Sequence, residues 1–418
     1  MANRPSRSRP IWREPGMPHL LATTGLSFAG FAVLLPVAPM HVVALGGDTF
    51  LAGLVNAVLM ATTVLTQLVV ERVRSRIGWS IVLALGCLFL GLPAFVEILA
   101  SRPWHVIALA AVRGIGFGII TVSAASAIAV LFTHERRGRA VGAYGLAAAA
   151  AQLVLTPLAP WIAESASFTT ALVLAALPVV GVPFGLSAGG VIERHSRTVP
   201  TATVTTTRAS EPRAGVEDGP NPATRVVLLR LLPPIAALTV VTCSGGAIMT
   251  FAPQFSPNVT PDAALIAALL LVFTATTAIS RWRAGSLADR FGARTFIVPG
   301  LGIAALGLAG MAVSIAGLTG AGSPALLVTG ALLVGTSYGA MQNVTLVRAF
   351  ELAGEQAKGT ASTVWNVAFD AGTGVGALGI GALATGTSFA FSFVLLAGLC
   401  SIVGAALLVS ARRDTREV

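Results

Sequence analysis

Apolar residues run through this chain in long blocks broken by short polar stretches. Blocks almost free of charge recur at 18 to 45, 50 to 70, 79 to 100, 104 to 131, 140 to 163 and 168 to 191, then at 228 to 253, 262 to 281, 295 to 318, 323 to 350, 360 to 385 and 389 to 410. A helix rising ~1.5 Å per residue needs about 20 such residues to cross ~30 Å of hydrocarbon, so each block is long enough to span. The pattern predicts an all-α polytopic membrane protein of 12 transmembrane helices in two six-helix halves, residues 18–191 and 228–410. Residues 192–227, rich in Thr, Pro, Arg and Glu without apolar periodicity, read as a cytoplasmic linker. Residues 1–17 and 411–418 read as polar tails.

Composition excludes the soluble alternative. With 55% hydrophobic and 11% charged residues and a mean hydropathy of +0.83, the chain carries more apolar surface than a soluble domain of 418 residues can bury. A net charge of +10 would suggest nucleic acid if it were gathered on one polar domain. Instead, all 27 basic residues except Arg102 and Arg113 fall on alternate connections and the two ends. That asymmetry places both termini and the basic connections in the cytoplasm, predicts a multi-pass inner-membrane protein and excludes a nucleic-acid partner. The uncharged run from Leu20 to Leu45 is longer than a signal-peptide core and reads as a retained first span. Cys87, Cys243 and Cys400 lie far apart inside apolar runs, as packing residues rather than a disulfide or zinc set.

A weak internal repeat relates the halves. Pro39 maps to Pro253 and Gly78 to Gly292 at an offset of 214, while Gly114, Gly118 and Gly138 map to Gly335, Gly339 and Gly359 at 221. One insertion near Leu318 to Pro324 accounts for the change.

The polar stretch GSLADRFGAR, Gly285 to Arg294, lies between two spans and combines turn-forming glycines, a carboxylate able to cap or pair, and basic anchors. It resembles the cytoplasmic latch of the major facilitator superfamily, with Gly285, Asp289, Arg290, Gly292 and Arg294 at matching places. The first-half counterpart ERVRSRIGWS keeps Arg76 and Gly78 but has Glu71 and Ser75 where the second half has Gly285 and Asp289. Glu71 is therefore expected to pair with Arg74 or Lys358, and Asp289 to cap the fifth span near Arg137 to Arg139. RGIGFG, with Arg113, Gly116 and Gly118, resembles the Arg-x-x-Gly-x-Gly signature of proton-coupled members. The ERRGRA stretch from Glu135 resembles the superfamily's inner loop, and the GAIMTFAP stretch from Gly246 and the ASTVWNVAFDAGTGVGALGIG stretch from Ala361 resemble its bacterial arabinose and drug exporters. Thr156 and Pro157 depart from the antiporter pattern, and the first span lacks the carboxylate that several antiporters have.

Ionisable residues inside spans are the candidates for coupling, because a charge in hydrocarbon is costly unless it works or is paired. Counting along the helices puts Arg113 about 14 Å from Trp104 and Asp370 about 18 Å from Lys358, both near the midplane. Asp370, Arg113, Glu97 and His41 form the proton-coupling set, with Glu97 and His41 placed near the outer interface. The resemblance implies that spans 1, 4, 7 and 10 line a solute cavity. Met40, Thr121, Gln152, Thr242, Met249, Phe251, Tyr338, Gln342, Asn343, Trp365 and Asn366 are its candidates. So few charges suit a small amphipathic or neutral solute.

The reading is a secondary active transporter, not an enzyme, exporting such a solute by proton-coupled alternating access. It has no cofactor or metal, and its partners are the solute, protons and the lipid bilayer around a monomer. Uptake of a small metabolite is the alternative within transport. A receptor or scaffold on the same fold is the alternative outside it.

Overall fold

The computed structural model describes residues 11–198, 222–255, 263–318 and 323–414. Among them, 12 helices are long and apolar enough to cross a membrane. They are α1 (Met17–Ala44), α2 (Thr49–Ile77), α3 (Trp79–Glu97), α4 (Pro103–Leu131), α5 (Arg136–Ser165) and α6 (Phe168–Ser196), then α7 (Val226–Gln254), α8 (Ala263–Phe291), α9 (Arg294–Ile315), α10 (Pro324–Gly354), α11 (Gln356–Gly386) and α12 (Phe389–Ser410). Leu306 and Ile402 are two-thirds exposed, as expected for helix faces that meet lipid rather than water.

Three boundaries differ from the hydropathy reading. The helix of α6 continues to Thr198 and the chain is helical again from Pro222, so both flanks of the expected linker are helical. Ile192 is buried and Glu193 accepts a 3.1 Å hydrogen bond from the Ser80 backbone N–H, which ties the end of α6 to α3. The linker's centre, residues 199–221, and the end segments 1–10 and 415–418 lie outside the described residues, as do residues 319–322 of the expected insertion. Between α10 and α11, only Gly354 leaves helical geometry, at φ 69°. Finally, α8 runs through Phe291, ten residues past its expected end, because polar residues on one face do not stop a helix.

What stops it is Gly292 at φ 83°, and Gly78 stops α2 at φ 86°. An L-side chain rarely adopts this left-handed geometry, so glycine ends both helices in the same way.

The repeat is a packing fact as well as a spacing. Thr63 Oγ1 donates to the Gly114 carbonyl at 3.1 Å, and Thr277 Oγ1 donates to the Gly335 carbonyl at 3.2 Å. A Cβ on Gly114 would lie 2.2 Å from the Leu59 carbonyl oxygen; one on Gly335 would lie 2.5 Å from that of Phe273. Leu59 and Thr63 map to Phe273 and Thr277 at the offset of 214. Thus α2 lies on α4 as α8 lies on α10.

Across the halves, α2 packs on α11 and α5 on α8. Thr49 and Thr385 share a hydrogen bond of 2.7 Å, and glycine lets the backbones meet where a Cβ on Gly53 would come 2.3 Å from the Ala377 carbonyl oxygen. Asn56 adds bonds to the Leu35 carbonyl (2.8 Å) and to Thr250 Oγ1 (2.9 Å). These contacts close the molecule at the end away from the basic connections.

Candidate functional site

A cavity of about 300 Å³ lies between the halves. Toward the closed end its walls are the buried Phe31, Met60 and Met249; toward the basic end Arg281 and Asn366 are exposed. It opens at the basic end.

Its lining follows the repeat. Leu35, Met60 and Gln67 reappear as Met249, Thr274 and Arg281 at 214, and Phe117, Thr121, Tyr144, Ala149 and Gln152 as Tyr338, Gln342, Trp365, Asp370 and Thr373 at 221. Helices α2, α5, α8 and α11 therefore line the cavity together with α1, α4, α7 and α10; the sequence already draws candidates from the fifth and eleventh spans, and α2 and α8 are the additions. Each half supplies an aromatic wall. Phe31 stacks on Phe117 with centroids 4.0 Å apart, and Trp365 on Phe369 at 5.6 Å.

Asp370 sits at the midpoint of α11, is only 7% exposed and lines this cavity. Its Oδ2 accepts a 2.8 Å hydrogen bond from Gln67 Nε2, so the bond joins one half to the other. An ionised carboxylate is strengthened as an acceptor here, and a neutral acid is a weaker one. Gaining or losing a proton at Asp370 therefore changes the strength of one bond between the halves.

The other three members of the coupling set are elsewhere. Glu97 and Arg113, both 0% exposed, form an ion pair inside the first half, and His41 Nδ1 lies 3.3 Å from the second carboxylate oxygen of Glu97. His41 also stacks on Phe168. Glu97 and His41 do lie near the outer ends of α3 and α1, but buried in the bundle rather than exposed at the interface, and Arg113 turns toward them from α4 instead of lining the cavity. Counting along separate helices could not show that three polar residues from α1, α3 and α4 meet. The Phe31–Phe117 stack belongs to the cavity wall, and none of the triad does.

Of the expected cavity residues, Thr121, Gln152, Met249, Tyr338, Gln342, Trp365 and Asn366 line it. Four do not. Met40 is core near the closed end of α1, and Phe251 packs against Gly53 and Gly381 in the closure. Thr242 is held between α7 and α11, where a Cβ on Gly372 would meet its hydroxyl at 2.0 Å. Asn343 points at α8 and donates to the Arg281 carbonyl at 3.3 Å. Sequence reading missed Gln67, Tyr144 and above all Arg281, which was counted with the basic connections. The signal was its distance from Gly292, the residue that ends the helix: about 16 Å of helix separates them.

The latch residues Gly285, Asp289 and Arg290 occupy the last two turns of α8 rather than a loop. Asp289 is exposed and among the described residues makes no side-chain hydrogen bond, contrary to the expected cap near Arg137, whose guanidinium instead donates to the Ala129 carbonyl at 2.9 Å. Glu71 pairs with Arg74, one of its two expected partners, and the Arg74 guanidinium lies 4.1 Å from the Trp79 ring centre. Arg290 covers Phe291, Arg76 is exposed, and Arg294 opens α9.

The family profile described as Major Facilitator Superfamily matches residues 20–260 and again 235–418. The chain belongs to the Major Facilitator Superfamily. It is accordingly a secondary transporter that moves a small solute by alternating access, not an enzyme. No curated protein matches it significantly. Among solved structures, it is similar to the peptide transporter POT in complex with sulfate, at 15% identity and a TM-score of 0.74 over 98% of this chain and 96% of that one. A mutant of the nucleoside transporter NupG aligns at 14% and 0.68, over 94% and 99%. A bacterial homologue of the human lysosomal transporter Spinster, inward-facing and occupied, aligns at 14% and 0.69, over 95% and 96%. At such identities the likeness is one of fold.

Proposed function

We propose that this superfamily member takes up a small amphipathic metabolite together with a proton across the inner membrane, with Asp370 as the proton carrier. The observation that carries the reading is the Gln67–Asp370 bond, which puts the cavity's carboxylate on the contact between the halves. With the basic connections in the cytoplasm, the open end is the inner one and the structure is the state after release. Facing outward, Asp370 takes a proton and the solute enters, since a neutral acid is cheaper to enclose than a charge. After rocking, water reaches the cavity, the proton leaves, and the carboxylate takes the Gln67 bond seen here.

The efflux expectation gives way to uptake for three reasons. α1 carries no carboxylate within the cavity, Thr156–Pro157 departs from the antiporter pattern, and the solved relatives include peptide and nucleoside transporters and a POT family transporter holding 5-aminolevulinic acid. Direction is testable without knowing the solute. Proteoliposomes are given a proton gradient and a defined mixture of small metabolites, and their contents are read by mass spectrometry. Solute moving the same way as the protons supports uptake, whatever the orientation of insertion; solute moving against them establishes exchange and export.

A further inference from the structure

We propose that Arg281 anchors a carboxylate on the transported solute, so that the cargo is a small monoanionic acid with an apolar body. This rests on the transport reading above and names its substrate class.

The argument starts from the repeat. Gln67 and Arg281 are equivalent positions on α2 and α8, and each faces the helix of the other half that packs on its own, α11 and α5 respectively. Gln67 meets Asp370 there. The position equivalent to Asp370 on α5 is 149, which is alanine. The repeat therefore offers Arg281 no counterpart of the carboxylate that Gln67 meets. Among the described residues its guanidinium makes no hydrogen bond and no ion pair, and only its backbone carbonyl is engaged, by Asn343. Yet it lies four residues from the midpoint of α8, about 6 Å along the axis, in the wall of the cavity.

Arg281 is exposed to the open cavity, where water solvates it; once the cavity closes around a cargo that water is lost, and among the described residues no counter-charge is bonded to it. A guanidinium offers paired N–H donors that match the two oxygens of a carboxylate. Among the described residues Arg281 is the one cation in the cavity wall, and Asp370 shares that wall, which limits the cargo to a single negative charge; a phosphate dianion would remain half neutralised. The aromatic walls formed by Phe31 with Phe117 and Trp365 with Phe369 suit an apolar body. Entry of one proton with one carboxylate is electroneutral, so the membrane potential would not oppose the anion.

The test is binding by the purified full chain in uncharged detergent, free of anionic lipid, using matched acid and amide pairs: benzoate with benzamide, phenylacetate with phenylacetamide, and 3-phenylpropionate with 3-phenylpropionamide. Thermal stabilisation across a concentration series reads affinity. At least one acid is expected to bind tenfold or more tightly than its amide. Arg281→Gln should abolish that preference and Arg281→Lys should retain part of it. Ala149→Asp gives Arg281 the internal partner that the repeat provides to Gln67; it should abolish acid binding while raising the unfolding temperature of the empty protein. The inference is overturned if no acid exceeds its amide, or if Arg281→Gln keeps the preference in a folded protein. Acid-selective binding combined with solute moving against protons would leave this inference standing and sink the uptake reading instead.

Discussion

Gln67 Nε2 and Asp370 Oδ2 are 2.8 Å apart although 303 residues separate them in the chain. The bond crosses from one six-helix bundle to the other at the depth of the solute cavity. Hydrogen bonds to charged groups contribute about 1.5–3 kcal/mol, enough to change a conformational equilibrium by tenfold or more. Gln67→Leu removes the donor and leaves a buried carboxylate without it. Gradient-driven transport in proteoliposomes should then fall at least tenfold at unchanged expression, and transport at wild-type rate would show the bond to be incidental.

The Glu97–Arg113 pair is a matter of stability. Both side chains are fully buried, and among the described residues Arg113 Nε and Nη2 have no hydrogen-bond partner, so the guanidinium depends on one carboxylate. Breaking a buried pair from one side leaves an uncompensated charge, which costs about 3–5 kcal/mol. Glu97→Gln should lower the unfolding temperature in detergent sharply, whereas the double change Glu97→Gln with Arg113→Met should recover much of the loss. Strict additivity of the two single changes would contradict the pairing.

The repeat makes a paired forecast. Gly114→Ala and Gly335→Ala each drive a methyl group into a backbone carbonyl of the neighbouring helix. Overpacking of this kind costs about 1–3 kcal/mol, and the two variants should lose similar thermal stability because their surroundings are equivalent. Gly138→Ala, where a Cβ meets nothing within 4 Å, is the control and should be neutral.

Among the described residues Asp289 makes no side-chain hydrogen bond or ion pair while the basic end stands open, and the latch reading puts its contact in the opposite state. Asp289→Asn should slow transport severalfold and leave solute binding to the inward-open protein unchanged. Ser75→Ala, at the equivalent place in the first half, should change neither transport nor binding. Equal loss in both variants, measured as transport rate against binding affinity, would refute the asymmetry between the halves.

Hydropathy made the helices legible, because a stretch that crosses lipid must be apolar along nearly its whole length. Offsets between glycines made the duplication legible, since Gly114 and Gly335 meet the same backbone atoms in each half. Asp370 was legible by depth, being an acid near the middle of an otherwise apolar span. Pairings were not. His41, Glu97 and Arg113 come from three helices, and only tertiary packing brings them together. Arg281 was hidden because a charge near a span boundary reads as a connection until the true helix end at Gly292 is known. Once α8 is drawn to Phe291, the same repeat that related the glycines sets Arg281 against Gln67.

The proton-carrier role of Asp370 is tested most directly by one comparison in proteoliposomes. Asp370→Asn keeps the shape and the hydrogen-bonding capacity of the side chain but holds it permanently neutral. With the wild-type protein, a solute from the metabolite mixture should accumulate along the imposed pH gradient. With the variant, that accumulation should vanish while solute exchange across the membrane without a gradient persists. Accumulation of the same solute by Asp370→Asn, to the wild-type level and with the same dependence on the gradient, would contradict the account.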